Sequence, residues 1–322
     1  MKTALPFPPP LLADAPPEAM ALASAGRRAS AFVALTKPRI AVMVLVTVAA
    51  GFLLGARSVS VSNPPSFLGE TRASTLLLAL LGTALVAGSA SVWNQVLERD
   101  RDARMRRTAR RPLPMGVVSP REAAVFGSAL GLAGVAILAA GANPTAAAVA
   151  AMTFVLYVLV YTPLKPRTTL NTAVGAIPGA LPPLIGWAAA TGRLELGGWS
   201  LFLIVFLWQF PHFLAIAWIH REDYARGGHK MLPGVDPTGL ITGRQSASHA
   251  LALIPAGLLP AALGMAGPFY FAGSLALGAF YLAMAVGFWL DVSDASARRL
   301  LRASFLYLPA VLALLLLNPM PA

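Results

Sequence analysis

An all-α, multi-pass membrane bundle is the fold class that this 322-residue sequence predicts, and three observations predict it. Hydrophobic residues make up 57% of the chain and charged ones only 12%, with a mean hydropathy of +0.68, far from the balance of a soluble domain. Nine mostly apolar runs lie near 39–57, 73–95, 120–141, 144–162, 170–191, 199–220, 247–267, 268–290 and 301–318; roughly 20 such residues carry a helix across a bilayer. The basic residues are also sorted to one side. With the N-terminus cytoplasmic and nine spans, all of the 25 Lys and Arg residues except Arg57, Arg72 and Arg193 fall in cytoplasmic segments, as retention of short basic loops requires. The short alternating strands of a membrane barrel are absent from the sequence.

Residues 1–30, with PFPPP and APPEA, are expected to form a disordered cytoplasmic tail without the apolar core of a secretory signal. Residues 17–35 can also lie as an amphipathic helix on the membrane surface, ahead of Leu35-Thr36-Lys37-Pro38-Arg39, where Pro38 suits a helix start. Residues 31–322 read as one transmembrane domain with its C-terminus outside. The loops after spans two and six are long and charged, which places function at the cytoplasmic face. Their separation by four spans hints at two related halves, although no repeat is visible in the sequence. The net charge of +12 follows from topology and attraction to anionic membrane lipids, so nucleic acid is not implied. With no cysteine, disulfides, thiolate metal sites and a Cys nucleophile are excluded.

Span two runs into WNQVLERDRDARMRRTARRPLPMG, residues 93–116. Steps of four along a helix advance about 400°, so Asn94, Glu98 and Asp102 share one face and Asp100 points elsewhere. Two carboxylates and an amide on one face suit Mg2+, which takes hard oxygen ligands and leaves positions for substrate phosphates. Arg107 and Arg111 follow, each able to hold phosphate oxygens in a bidentate fork, and Pro112 and Pro114 argue for a stiff loop. Pairing of these acids with neighbouring arginines on a solvated helix is the plain alternative; against it stands their place at the mouth of a helix bundle, where charged groups mark substrate paths.

These residues resemble the UbiA-type intramembrane prenyltransferases, whose first acidic motif is Asn with acids at plus four and plus eight. Leu35 to Arg39, Arg107-Thr108-x-x-Arg111-Pro112-Leu113 and three later blocks, over about residues 35–318, resemble the branch of that family that farnesylates haem. The resemblance implies nine helices around a central cavity in the cell inner membrane. It implies Asn94, Glu98, Asp102 and Asp223 as catalytic metal ligands for Mg2+, and Arg107, Arg111 and Lys165 as diphosphate-binding groups. Tyr161, Asn171, His212 and Tyr224 are then expected in the substrate cavity. Gly227 stands where many relatives carry a further Asp, so the second metal position has fewer carboxylates. Gly175 and Gly179 read as packing glycines, and His220, His229 and His249 as ordinary polar residues near the surface. His212, beside Pro211, either ligates or orients the haem or bonds backbone freed by the proline. Asp236-Pro237-Thr238-Gly239 is expected to contribute to a lid.

The implied reaction is ionisation of farnesyl diphosphate, assisted by Mg2+, and capture of the allylic carbon by a vinyl group of haem b. A haem A synthase or an oxidase assembly factor is the expected protein partner. A quinone-precursor or other aromatic acceptor is the nearest alternative, and a transporter with ion-coupling acids is the alternative from a different class.

Overall fold

The computed structural model describes residues 17–60 and 70–318. The first sixteen residues of the expected tail lie outside that range. From Pro17 the chain is already helical: α1 spans Pro17–Leu35 and α2 Pro38–Ser60, so the boundary expected at residue 30 falls inside a helix. The end of α1 is docked. Ala31 and Leu35 are buried with Val92, Leu113, Val118 and Ala123, and Arg28 pairs with Glu122.

The remaining helices run α3 Glu70–Asp102, α4 Pro120–Gly141 and α5 Pro144–Val155. A π-helical turn, Leu156–Tyr161, then leads into α6, Thr162–Leu164. Span five is split into α7, Asn171–Ala180, and α8, Pro182–Thr191, because Pro182 has no N–H to continue the ladder. After α9, Leu196–Ile219, come the short α10, Arg221–Arg226, and α11, Leu232–Val235. Three long helices complete the chain: α12 Leu240–Ala262, α13 Pro268–Leu290 and α14 Asp294–Leu317. There is no strand among the described residues.

Among the described residues eight segments are long and apolar enough to cross a membrane, one fewer than the nine expected. The difference is α12, whose first turns carry Arg244, Gln245, Ser246, Ser248 and His249. Its path nonetheless runs from one end of the bundle to the other. Asp236 accepts from the backbone N–H of Thr242 at 2.7 Å at its start, and the backbone N–H of Gly267, just past its end, donates to the carbonyl of Asn318 at 2.9 Å.

Besides the cluster under α1, two larger apolar cores form among the described residues. One joins α9, α12, α13 and α14 around Leu253, Tyr281, Phe288 and Tyr307; the other joins α2, α3, α4, α5 and α8 around Phe52, Leu138, Leu184 and Ile185. Lipid tails are as apolar as these side chains, so association rests on close packing and interhelical hydrogen bonds of about 0.6–2 kcal/mol each. Ser89 to the Gly127 carbonyl (2.6 Å), Asn143 to that of Ala188 (2.8 Å) and Tyr270 to that of Gly257 (2.6 Å) are examples.

Candidate active site

Helix α3 is 33 residues long, about 50 Å at the α-helical rise, whereas hydrocarbon needs roughly 30 Å. Its surplus carries the acids beyond the apolar layer. Asn94, Glu98 and Asp102 share one buried face, at 2%, 5% and 1% exposure, while Asp100 points outward to Arg99. The shared face predicted from their spacing is therefore observed.

Cations from three other segments meet that face. Lys165, just past α6, lies 2.9 Å from Glu98 Oε1, and Arg111 lies 2.7 Å from Asp102 Oδ2. Lys37, between α1 and α2, donates from Nζ to Asn94 Oδ1 at 3.2 Å. Asn94 in turn donates to Thr162 Oγ1 at 3.2 Å. The π turn sets this last contact, because its extra residue turns Thr162 inward, where its hydroxyl also donates to the Tyr157 carbonyl. Lys165 Nζ sits 4.7 Å above the Tyr161 ring, a cation–π contact. Gly175 makes room for that ring: a Cβ there would stand 2.5 Å from Tyr161 Cε2, in agreement with a packing role.

Lys37 was not singled out by its sequence context, and it holds a left-handed backbone, φ +51°, uncommon for a residue with a side chain. Burial, with the positive charges of Arg111 and Lys165 beside it, brings its ammonium down to about 7. Burial also pulls at Lys165, but the Tyr161 and Glu98 side chains outweigh it and its pKa is raised.

Asp223 forms a second cluster. Its oxygens accept from the backbone N–H groups of Arg106 (2.9 Å) and Arg107 (3.1 Å) and from the Arg226 guanidinium. Burial would lift this carboxyl; the Arg226 bond, followed by the Arg107 and Arg106 N–H groups, holds it below the usual range. Arg107 reaches Tyr224, with Nη2 3.3 Å from the phenol oxygen. Arg106, Arg107, His220, Arg221 and Arg226 line a polar cavity of about 390 Å³ there. Asp223 thus braces the turn that delivers Arg111 to Asp102. Among the described residues it does not join Glu98 and Asp102 as a cluster of three or more His or acidic groups able to hold a metal ion. Asp223 is turned instead to the 106–107 backbone and Arg226, and the expected convergence of all four ligands is not formed among the described residues.

Asn171 is fully buried, and its amide donates to the carbonyls of Thr168 (2.6 Å) and Lys230 (2.8 Å). It clamps two loops together. His229, read as a surface residue, is 6% exposed; its Nδ1 is enclosed without a hydrogen-bond partner, and burial lowers its pKa although the Glu98 carboxylate pulls the other way. Gly227 is crowded, since a Cβ there would lie 2.9 Å from Met105, so a larger side chain would have to displace Met105. Asp236 accepts from Thr238 and from the N–H and hydroxyl of Thr242, which ties its loop to the first turn of α12, whose N-cap is Gly239. His212 lies deeper on α9, bonded to Ser304 at 2.7 Å and stacked on Trp208 at 4.9 Å.

The donor set fits a divalent cation on one specific ground: Asp102 Oδ1 is buried and has no hydrogen-bond partner, beside the Glu98 carboxylate and the Asn94 amide. Ringed by Lys37, Lys165 and Arg111, that face can bind a polyanion and take up charge developing on it.

The profile of the UbiA prenyltransferase family matches residues 44–309. The sequence is 45% identical to the protoheme IX farnesyltransferase of Solibacter usitatus (strain Ellin6076) over 287 residues, 89% of this chain and 98% of that protein. It is 44% identical to the protoheme IX farnesyltransferase of Salinibacter ruber (strain DSM 13855 / M31), also over 89% of this chain and 98% of that protein. The fold is similar to that of a UbiA homolog from Archaeoglobus fulgidus bound to GPP and Mg2+, with a TM-score of 0.61, 17% identity and coverage of 88% of this chain and 99% of that one.

Proposed function

The chain belongs to the UbiA prenyltransferase family, and from that premise we propose that it transfers a farnesyl group from farnesyl diphosphate to a vinyl group of haem b; the relatives it resembles are named protoheme IX farnesyltransferases. The observation that carries this reading is the buried face of Asn94, Glu98 and Asp102 ringed by Lys37, Lys165 and Arg111, in a chain so similar to protoheme IX farnesyltransferases.

Mg2+, held by Asn94, Glu98 and Asp102, would supply positive charge to the diphosphate oxygens. Asp223 is the proposed ligand of a second ion, for which Arg226 has to give way. Lys37, Lys165 and Arg111 stabilise the leaving group as the allylic C–O bond breaks and its electron pair moves onto the diphosphate. Arg107 extends this positive rim. Tyr161 and Tyr224 hold Lys165 and Arg107 in place through their ring faces. The π electrons of the vinyl group then form the new C–C bond to the allylic carbon. The cation left beside the porphyrin takes up water, which loses a proton, giving the hydroxyethylfarnesyl group. His212 is the proposed nitrogen ligand for the haem iron. The proposed orientation puts the site end of the bundle at the cytoplasmic face of the inner membrane, with the C-terminus outside. A haem A synthase or an oxidase assembly factor is the proposed recipient of the product.

Purified protein incubated with haem b, farnesyl diphosphate and Mg2+ is expected to yield a porphyrin heavier by one farnesyl group and one hydroxyl group. Unchanged porphyrin, together with prenylation of an aromatic acceptor under the same conditions, would overturn the choice of acceptor.

A further inference from the structure

The His212 ring meets α14 at Ser304, with Nδ1 and Oγ 2.7 Å apart. Ser304 is fully buried, and its hydroxyl donates to the Leu301 carbonyl at 2.6 Å. A hydroxyl has one hydrogen and two acceptor lone pairs. With the hydrogen committed to Leu301, Ser304 faces the imidazole as an acceptor, and Nδ1 carries the ring proton. The bare lone pair is therefore on Nε2.

Nε2 forms no hydrogen bond among the described residues, and it is not one of the enclosed polar atoms lacking a partner; it opens onto accessible space. The ring plane is fixed by Trp208, stacked at 4.9 Å, and by the edges of Phe213 and Phe305 at 5.3 Å each. Trp208 is itself tied to α14, its Nε1 donating to the Ser304 carbonyl at 2.9 Å, and the Tyr281 hydroxyl bonds the Trp208 carbonyl at 3.2 Å. Phe213 and Phe305 are 36% and 55% exposed, so the aromatic edges beside this nitrogen can be reached by a planar apolar macrocycle that carries a metal.

We propose that Ser304 is a positioning residue for the acceptor: by holding the Nδ1–H tautomer of His212, it keeps Nε2 as a fixed ligand aimed at the iron of a haem. The proposal rests on the reading of haem b as acceptor. Histidines that ligate a metal generally donate their other N–H to such a partner, and losing that partner costs about 10–100-fold in affinity.

The experiment titrates haem b, without prenyl donor, into the full-length protein in lipid nanodiscs, followed by absorption and by electron paramagnetic resonance of the ferric form. Ser304→Ala is expected to weaken haem binding by about 10-fold or more and to alter the nitrogen-ligand signature, with the affinity for farnesyl diphosphate unchanged. Ser304→Thr, which keeps the acceptor oxygen, is expected to restore both. His212→Gly is expected to lose the signature and to regain it with added imidazole. A wild-type spectrum and haem affinity in Ser304→Ala, or an intact signature in His212→Gly, would overturn the proposal. So would equal loss of haem and donor affinity in Ser304→Ala without recovery in Ser304→Thr, the mark of a packing role. If Ser304→Ala does not fold, Ser304→Cys, a poorer acceptor, is measured and judged by the same outcomes. A wild-type protein that shows the signature yet makes no farnesylated porphyrin would remove the reaction and leave the Ser304 assignment standing.

Discussion

Asp102 holds Arg111 with one carboxylate oxygen and keeps the other enclosed without a hydrogen-bond partner. A buried acceptor of this kind is costly unless a ligand completes it, so Asp102→Asn is expected to lower turnover at least about 100-fold while the protein still elutes as a folded particle; near-normal turnover would sink the assignment. Lys37 gives a second test. Its ammonium titrates near 7 in the folded protein against an ordinary 10.5, so between those values the unfolded chain binds more protons and stability rises with pH. The thermal midpoint of the ligand-free protein in detergent is expected to climb from pH 7 to pH 9, and Lys37→Met is expected to flatten the climb. Asn94, Glu98 and Asp102 were legible in the sequence because one helix sets their relation. Lys37 and His229 were not, since their burial beside the acids depends on loops brought in from distant segments. Asn171 and Asp223 were recognisable as special positions, but their hydrogen-bond partners, on Lys230 and on Arg106 and Arg107, decide what they do.

At the scale of elements, the π turn Leu156–Tyr161 matters most for the site. Such bulges concentrate at functional positions, and here the extra residue sets the direction of Tyr161, Thr162 and, beyond them, Lys165. Deleting one residue from α5, just ahead of this turn, would keep the bulge and rotate Tyr161, Thr162 and Lys165 by about 100° against α3. Turnover is expected to fall by about 100-fold or more, as misplacement of positioning groups does, with membrane insertion unchanged; full activity would show that the direction set by the bulge has no part in the chemistry. An apolar run gives no sign of such an insertion, because one added residue leaves 144–162 as hydrophobic as before. The break at Pro182 and the cap at Ser119, where Glu122 closes a reciprocal box, are by contrast written in residue types with fixed backbone demands.

Across the whole molecule, four contacts of charged groups gather at one end of the bundle: Lys37 with Asn94, Lys165 with Glu98, Asp223 with the 106–107 turn, and Arg221 with Asp294. The basic residues predict that this end faces the cytoplasm, and the absence of cysteine gives a clean test. Arg110→Cys is expected to resist an impermeant thiol reagent applied to intact cells stripped of outer membrane, and Arg193→Cys to react; the reverse pattern would invert the topology. Hydropathy marks spans by their contact with lipid, which is why the partly polar α12 stands apart from the other eight although it joins the same two ends. The link between the loops after α6 and α10 has its own consequence. The Lys230 amide donates to the Lys165 carbonyl at 2.7 Å, and the Asn171 side chain grips the Lys230 carbonyl, so these two stretches form one mechanical unit. Their amide hydrogens are expected to exchange with heavy water together, as a single cooperative opening, and Asn171→Ala is expected to uncouple them.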